Sequence, residues 1–188
     1  RNALSDETSS TQQRAAQLCF ENQYNINRFV EGYDTQTFDN AVRLIERAPR
    51  GSAVGMRQFH SLAAFLVYGL RLIRNDVSIF NSNALGAAEE LSAMQRDDVL
   101  IVTSVFPYSC EVVQIAEAAS DAGLSVIAFT DLLSSPLVNY SAATLFVPHE
   151  SSYISNSITS YFAAAECLVN AVALASPEKT QEMLKARE

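Results

Sequence analysis

DDVLIVTSVFPYSCEVVQIAEAASDAGLSVIAFTD, residues 97–131, holds the reading on which the fold turns. DVLIVTS is an apolar run without alternation, as in a strand buried on both faces. Residues 109–122 then switch to helical rhythm, with Val112, Ile115, Ala116 and Ala119 on one stripe. Ser109 is placed to cap that helix and Gly123 to end it as a C′ glycine. LSVIAFT is a second apolar run. The loop TSVFPYS, residues 103–109, therefore lies where a strand's carboxyl end meets a helix's amino end. In open α/β sheets ligands bind there, and free N–H groups at a helix start favour an anion. Ser and Pro are also ordinary turn residues, so position alone leaves the loop's role open.

The same alternation continues on both sides of this stretch. SAVGM precedes LAAFLVYGLRLI, DVSIF precedes ALGAAEELSAM, and ATLFVP precedes a long helix from about residue 155. Five strands are countable, and strand–helix alternation with apolar strands predicts a three-layer α/β/α domain around a parallel sheet. Two helices come first. Residues 8–31 carry Ala15, Leu18, Cys19, Tyr24 and Ile26 at helical spacing, and residues 35–48 carry Phe38, Ala41, Val42, Ile45 and Ala48. Gly32 is expected as the C′ residue between them, with Asp34 or Thr35 capping the second. The boundaries are a helical extension over residues 1–48, packed on an α/β domain over 49–188.

Composition narrows the function. The chain has 188 residues, 48% of them hydrophobic, a mean hydropathy of +0.05 and a net charge of −8. That length suits one domain with a sizeable core. An acidic surface repels phosphate backbones, so the chain is not expected to grip nucleic acid by itself. Cys19, Cys110 and Cys167 are far apart and odd in number, which fits a reducing, cytoplasmic setting; each is expected as a small buried residue. The two histidines, His60 and His149, show no metal spacing, and neither a metal nor a cofactor is expected. No apolar run approaches the roughly 20 residues that cross a bilayer. The first ten residues, RNALSDETSS, are polar and lack an initiator Met, which reads as the start of an excised fragment.

Two further loops are rich in hydroxyls: Thr130–Leu137, with Ser134 and Ser135, and His149–Tyr153, with Ser151 and Ser152. All three loops leave the same edge of the expected sheet. Converging short donors suit a phosphorylated or polyhydroxylated small molecule, although Ser and Thr also serve as simple cap residues.

GSAVGMRQFHSLAAFLVYGL, the stretch 97–131 and SSPLVNYSAATLFVP, in that order and spacing, resemble a sugar isomerase (SIS) domain. More closely, they resemble the effector half of RpiR-type bacterial transcription regulators. The likeness covers about residues 10–185 and is strongest at 97–147. It implies a flavodoxin-like strand order 2-1-3-4-5, a homodimer or tetramer, phosphosugar sensing, and a DNA-binding helix-turn-helix domain upstream. The family's phosphate loop reads Ser-x-Ser-Gly-x-Thr, whereas this chain has Ser104-Val105-Phe106-Pro107-Tyr108-Ser109. Phe106 stands for a hydroxyl and Pro107 for a glycine, which also removes an N–H. The family's earlier Gly-x-Gly-x-Ser is here Gly55-Met56-Arg57-Gln58-Phe59, and Arg57 offers a fork of donors to an anionic group. The expected ligand residues are Gly55, Arg57, Ser104, Tyr108, Ser109, Ser134, Ser135, Ser151 and Ser152, for a sugar phosphate or sugar acid.

Sugar isomerisation needs a general base near the sugar carbons. His60, His149, Glu111 and Glu150 are the loosely placed candidates. Glu111 reads as a first-turn carboxylate matched to the helix dipole, and His60 as a packed or capping residue. The expectation is a non-catalytic sensor and dimerisation domain of a transcription regulator. The apolar residues Ile158, Tyr161, Phe162, Ala165, Leu168, Val169 and Val172 point to a helix-mediated homodimer. The alternatives are a phosphosugar isomerase and a ligand-free dimerisation module.

Overall fold

The computed structural model describes residues 10–82 and 86–186. Capping and periodicity set the leading helices. In α1 (Thr11–Gly32) Ser10 and Gln13 form a reciprocal capping box, and in α2 (Thr35–Arg47) the Asp34 carboxylate accepts the Thr37 N–H at 2.7 Å. Gly32 is the last helical residue rather than a left-handed C′ residue; the extended backbone of Tyr33 ends the helix. The beginning expected at residue 8, and Ala84 and Leu85 of the stretch 84–94, lie outside the described residues.

The α/β part follows in order: β1 (Gly51–Gly55), α3 (Phe59–Arg71), β2 (Val77–Ile79), α4 (Ala87–Ser92), β3 (Val99–Thr103), α5 (Cys110–Asp121), β4 (Ser125–Thr130), a 3₁₀ turn (Pro136–Asn139), β5 (Ala143–Phe146), α6 (Thr159–Ala175) and α7 (Pro177–Lys185). All five strands are parallel, in the order β2-β1-β3-β4-β5. Gly55 pairs with Thr103, and Thr103 with Phe129, so the ends of β1, β3 and β4 are level. That register sets the turns after these strands side by side. Gly123 takes the left-handed conformation expected of it, at φ 83°.

One face of the sheet is covered by α1, α2, α3 and α6, around Phe29, Ile45, Leu62, Leu66, Tyr161 and Leu168. The other is covered by α5 and the 3₁₀ turn, around Val112, Ile115 and Leu137. Of the apolar residues of the helix α6, Tyr161, Ala165, Leu168 and Val172 are buried inside the chain, where α6 packs against α1, α2 and α3, while Phe162 and Val169, with Ile158 just before the helix, are half-buried. The three cysteines are exposed, not buried: apolar contacts on their helices are supplied by neighbouring residues such as Leu168 and Val112. His60 is exposed too, on the outer side of the first turn of α3.

The amino edge of the sheet is closed by arginines. Arg74, 6% exposed, donates to the Ala48 and Pro49 carbonyls at 2.7 and 3.1 Å, to the Ile45 carbonyl, and to both oxygens of Asp76. It thereby ties the end of α2 to the segment entering β2. Asp98, fully buried, accepts from Arg50 and from the Gln95 N–H.

Candidate functional site

The site at the carboxyl edge begins with a close approach. A Cβ on Gly55 would stand 2.4 Å from the Phe59 carbonyl oxygen. Only glycine lets the first turn of α3 sit down on the end of β1. The turn between them passes through Arg57 at φ 54°, a left-handed conformation that strains any residue with a side chain. Arg57 occupies the position of the second glycine in the SIS pattern. The chain has kept the backbone of a glycine turn and hung a guanidinium on it. That side chain is exposed, and no partner holds it among the described residues.

Alongside, the turn from β3 to α5 is built on Ser104. Its N–H donates to the Phe129 carbonyl at 3.3 Å, its hydroxyl accepts the Ser109 N–H at 2.9 Å, and its carbonyl accepts the Thr130 hydroxyl at 2.8 Å. Ser109 caps α5, accepting the Val112 N–H at 3.5 Å. The Phe106–Pro107 peptide is cis, and the Phe106 and Tyr108 rings meet edge to face, 6.1 Å apart. With Ser155 and Asn156 these two turns wall a cavity of about 490 Å³. Its lining carries one cation, Arg57, several hydroxyls, and neither a carboxylate nor an imidazole among the described residues.

Behind the loop stands Asp131, the residue that follows β4. Its carboxylate accepts the Phe106 N–H at 3.1 Å, the Tyr108 hydroxyl at 2.9 Å and His149 Nε2 at 3.2 Å. Burial works to raise its pKa, but these hydrogen bonds outweigh it and hold the carboxyl down to about 2. The Tyr108 hydroxyl is pushed up in turn, by burial first and then by the same carboxylate.

Of the residues expected from sequence, Arg57, Ser104, Tyr108 and Ser109 line this one cavity, with Gly55 in the strand beneath them. Ser134 is exposed and lines none of it. Ser135 is buried, its hydroxyl hydrogen-bonded to the Thr130 hydroxyl at 2.8 Å and accepting the Leu137 N–H at 3.4 Å, so it caps the 3₁₀ turn. Ser151 and Ser152 lie toward α1, where the Ser152 N–H reaches Glu21 at 2.5 Å. A second cavity, of about 650 Å³, lies across the loop, with Arg28, Glu31, Phe106, Asp131, His149 and Glu150 on its walls. The catalytic candidates are scattered: His149 and Glu150 border this second cavity, Glu111 accepts from Ser82 at 2.6 Å, and His60 borders neither. Sequence reading missed Asp131, Gln58 and Asn156. Asp131 had a signal, since it directly follows the strand paired with β3; Asn156, in an irregular segment, had none.

The topology is that of a doubly wound α/β domain, and this cavity lies at the carboxyl edge of its sheet. The family model for the SIS domain matches residues 44–171, and the chain belongs to that family. No curated protein matches the chain. Among solved structures it is similar to the sugar isomerase domain of an RpiR transcription factor from Sphaerobacter thermophilus: TM-score 0.87, 23% identity, 93% of this chain and 97% of that one covered. It also resembles the Vibrio vulnificus NanR protein complexed with ManNAc-6P, at TM-score 0.80 and 19% identity over 96% of this chain and 68% of that one. Phosphoheptose isomerase GmhA from Neisseria gonorrhoeae superposes at TM-score 0.72 and 15% identity, over 90% and 100%.

Proposed function

We propose that the chain is the ligand-sensing domain of an RpiR-type transcription regulator, taking a sugar phosphate or sugar acid in the Arg57 cavity without converting it. The observation that carries this is Arg57 itself: a guanidinium without a partner among the described residues, on a strained turn, aligned by register with a cradle of hydroxyls. Strain retained at a cavity wall is compatible with a binding role and serves no evident packing purpose. An anion there gains charge-assisted, directional hydrogen bonds from Arg57 and neutral ones from the serines. Pro107 and Tyr108 add apolar and ring surface to this cavity, Pro107 where the family pattern has glycine, which favours a ligand with an apolar face beside its charge. The absence of carboxylate and imidazole from the described lining supports binding without general base catalysis. Assembly as a homodimer and DNA contact through a separate upstream domain, in the cytoplasm, complete the reading.

Calorimetric titration of the chain with sugar phosphates, ManNAc-6P among them, and with sugar acids tests it. A ligand that binds the wild type is expected to lose about tenfold or more in affinity to Arg57→Ala, and less to Ser104→Ala. It should also be recovered chemically unchanged. Equal affinity for wild type and both variants would reduce the loop to a turn, and aldose–ketose conversion would make the protein an isomerase.

A further inference from the structure

Residues 148–158 run from β5 to α6 across the carboxyl edge of the sheet, and polar side-chain contacts pin them from two directions. Toward α1, Glu21 accepts the Ser152 N–H at 2.5 Å and Asn22 accepts the Ser157 hydroxyl at 2.6 Å. Asn25 donates to the Glu150 carbonyl at 2.9 Å, and Arg28 pairs with the Glu150 carboxylate at 2.5 Å. Positions 21, 22, 25 and 28 form one stripe of the helix. Toward the cavity, Gln58 donates to the Asn156 carbonyl at 3.0 Å, Asn156 donates to the Phe106 carbonyl at 3.3 Å, and His149 bonds Asp131. Gln58 and Asn156 both line the Arg57 cavity.

The segment buries little of its own, with Ile154 73% exposed at its tip. Helix α1 is similarly light: of its 22 residues only Asn25 and Phe29 are buried. An element held by few apolar contacts opens at low cost, and its position is sensitive to the polar contacts that remain.

We propose that residues 148–158 are a regulatory strap that couples occupancy of the Arg57 cavity to the hold on α1. The proposal rests on the ligand site inferred above. A ligand shifts an equilibrium only through contacts that differ between the two states. Gln58 and Asn156 supply them, because an anionic oxygen accepts more strongly than the carbonyls these amides now serve. Drawing either amide into the cavity unseats the strap at residue 156. The four contacts to α1 then lose their backing, and the middle of α1 loosens. Because coupling is reciprocal, cutting the strap at its α1 end must also loosen the loop 104–109.

Hydrogen exchange read by mass spectrometry on the full chain tests both directions. Without ligand, Asn156→Ala is expected to speed exchange in α1 residues 20–29 by about threefold or more, with β3 and β4 unchanged. Glu21→Ala should do the same to residues 106–110. Both residues are half-buried with no apolar packing to lose, and the substitutions should leave the melting transition nearly intact. If either variant changes exchange only around its own position, the strap is not a coupling element. ManNAc-6P, added to saturation, should speed exchange in 20–29 of the wild type and add nothing in Asn156→Ala. Protection of 104–109 with no change in α1 would overturn the strap while leaving the binding site intact. Failure of every sugar phosphate and sugar acid to bind would count against the site, and the ligand-free variants would still decide the strap.

Discussion

The two edges of the sheet use arginine in opposite ways. At the amino edge Arg74 is buried and all three nitrogens of its guanidinium donate, to three carbonyls and a carboxylate. At the carboxyl edge Arg57 is exposed, strained and unpartnered among the described residues. Arg74 satisfies the last carbonyls of a helix, a structural task that its own fold completes. The Arg57 side chain satisfies no group among the described residues. The loops around Arg57 are held by hydroxyls, amides and Asp131 rather than by that cation; the proposal above gives Arg57 to the ligand.

The largest expected effect is at the amino edge. Arg74→Ala strands buried carbonyls of Ile45, Ala48 and Pro49 and leaves Asp76 without its cation. The cost is expected to be about 3–5 kcal/mol of stability, measured by urea unfolding, with α2 released from the body. A loss below about 1 kcal/mol would place Arg74 with ordinary surface pairs and erase the contrast between the edges.

Next comes the backbone of the carboxyl edge. In Gly55→Ala the new methyl meets the Phe59 carbonyl, which is helix backbone and cannot swing aside. The first turn of α3 must move, at about 2–3 kcal/mol, and the turn carrying Arg57 moves with it. Both stability and ligand affinity should fall. A variant that binds normally would show that the turn's geometry is not what sets the site.

These two positions also show what could be read from sequence. Apolar, non-alternating runs and 3.6-residue stripes gave the strands, both leading helices, the cap at Ser109 and the choice of Asp34 or Thr35, which the structure resolves to Asp34, because burial and capping are local in sequence. The strand order came from resemblance and agrees with the sheet observed. Within the site, Arg57, Ser104, Tyr108 and Ser109 were legible because each is on a turn directly after β1 or β3. Ser135, Ser151 and Ser152 looked the same on paper. Sequence cannot say whether a loop hydroxyl turns into a cavity or back toward a backbone N–H, and that depends on partners far along the chain. Asn156 lies 50 residues from Phe106, and Glu21 lies 131 from Ser152. How much of the α6 surface is covered was hidden for a related reason: α1 and α2, which pack on it, are separated from it by the whole sheet in sequence.

Asp131 is expected to have an intermediate effect, with a pH signature. Its carboxyl is held down to about 2 against an ordinary 3.8. A depressed carboxylate contributes stability that is full above its unfolded value and is lost as pH falls through the folded one. The window is therefore about pH 4 down to 2, and the contribution at neutral pH is about 2 kcal/mol. Asp131→Asn should lower stability by that amount at pH 7 and flatten the acid limb of the stability curve in that window. Since Asp131 holds Phe106 and Tyr108, ligand affinity should weaken as well. An unchanged acid limb would mean that the loop is held by Ser104 and Thr130 alone.

The smallest effect on stability is the most informative about the comparison. Arg57→Gly removes the side chain at a position whose φ of 54° glycine adopts without strain. Two contributions oppose each other: the folded state is relieved of strain, and the unfolded chain gains the freedom of a glycine. Left-handed strain in a residue with a side chain costs about 1 kcal/mol or more, and glycine's extra unfolded entropy offsets about 0.5–1 kcal/mol of that. The net change should be near zero or slightly stabilising, whereas Arg57→Ala, which keeps the strain, should be no more stable than the wild type. Both variants should lose ligand affinity alike, since both lose the guanidinium. Urea unfolding beside calorimetry separates the two quantities. If Arg57→Gly were instead destabilised by more than about 1 kcal/mol, Arg57 would be making structural contacts of its own. The two edges of the sheet would then be using arginine in the same way.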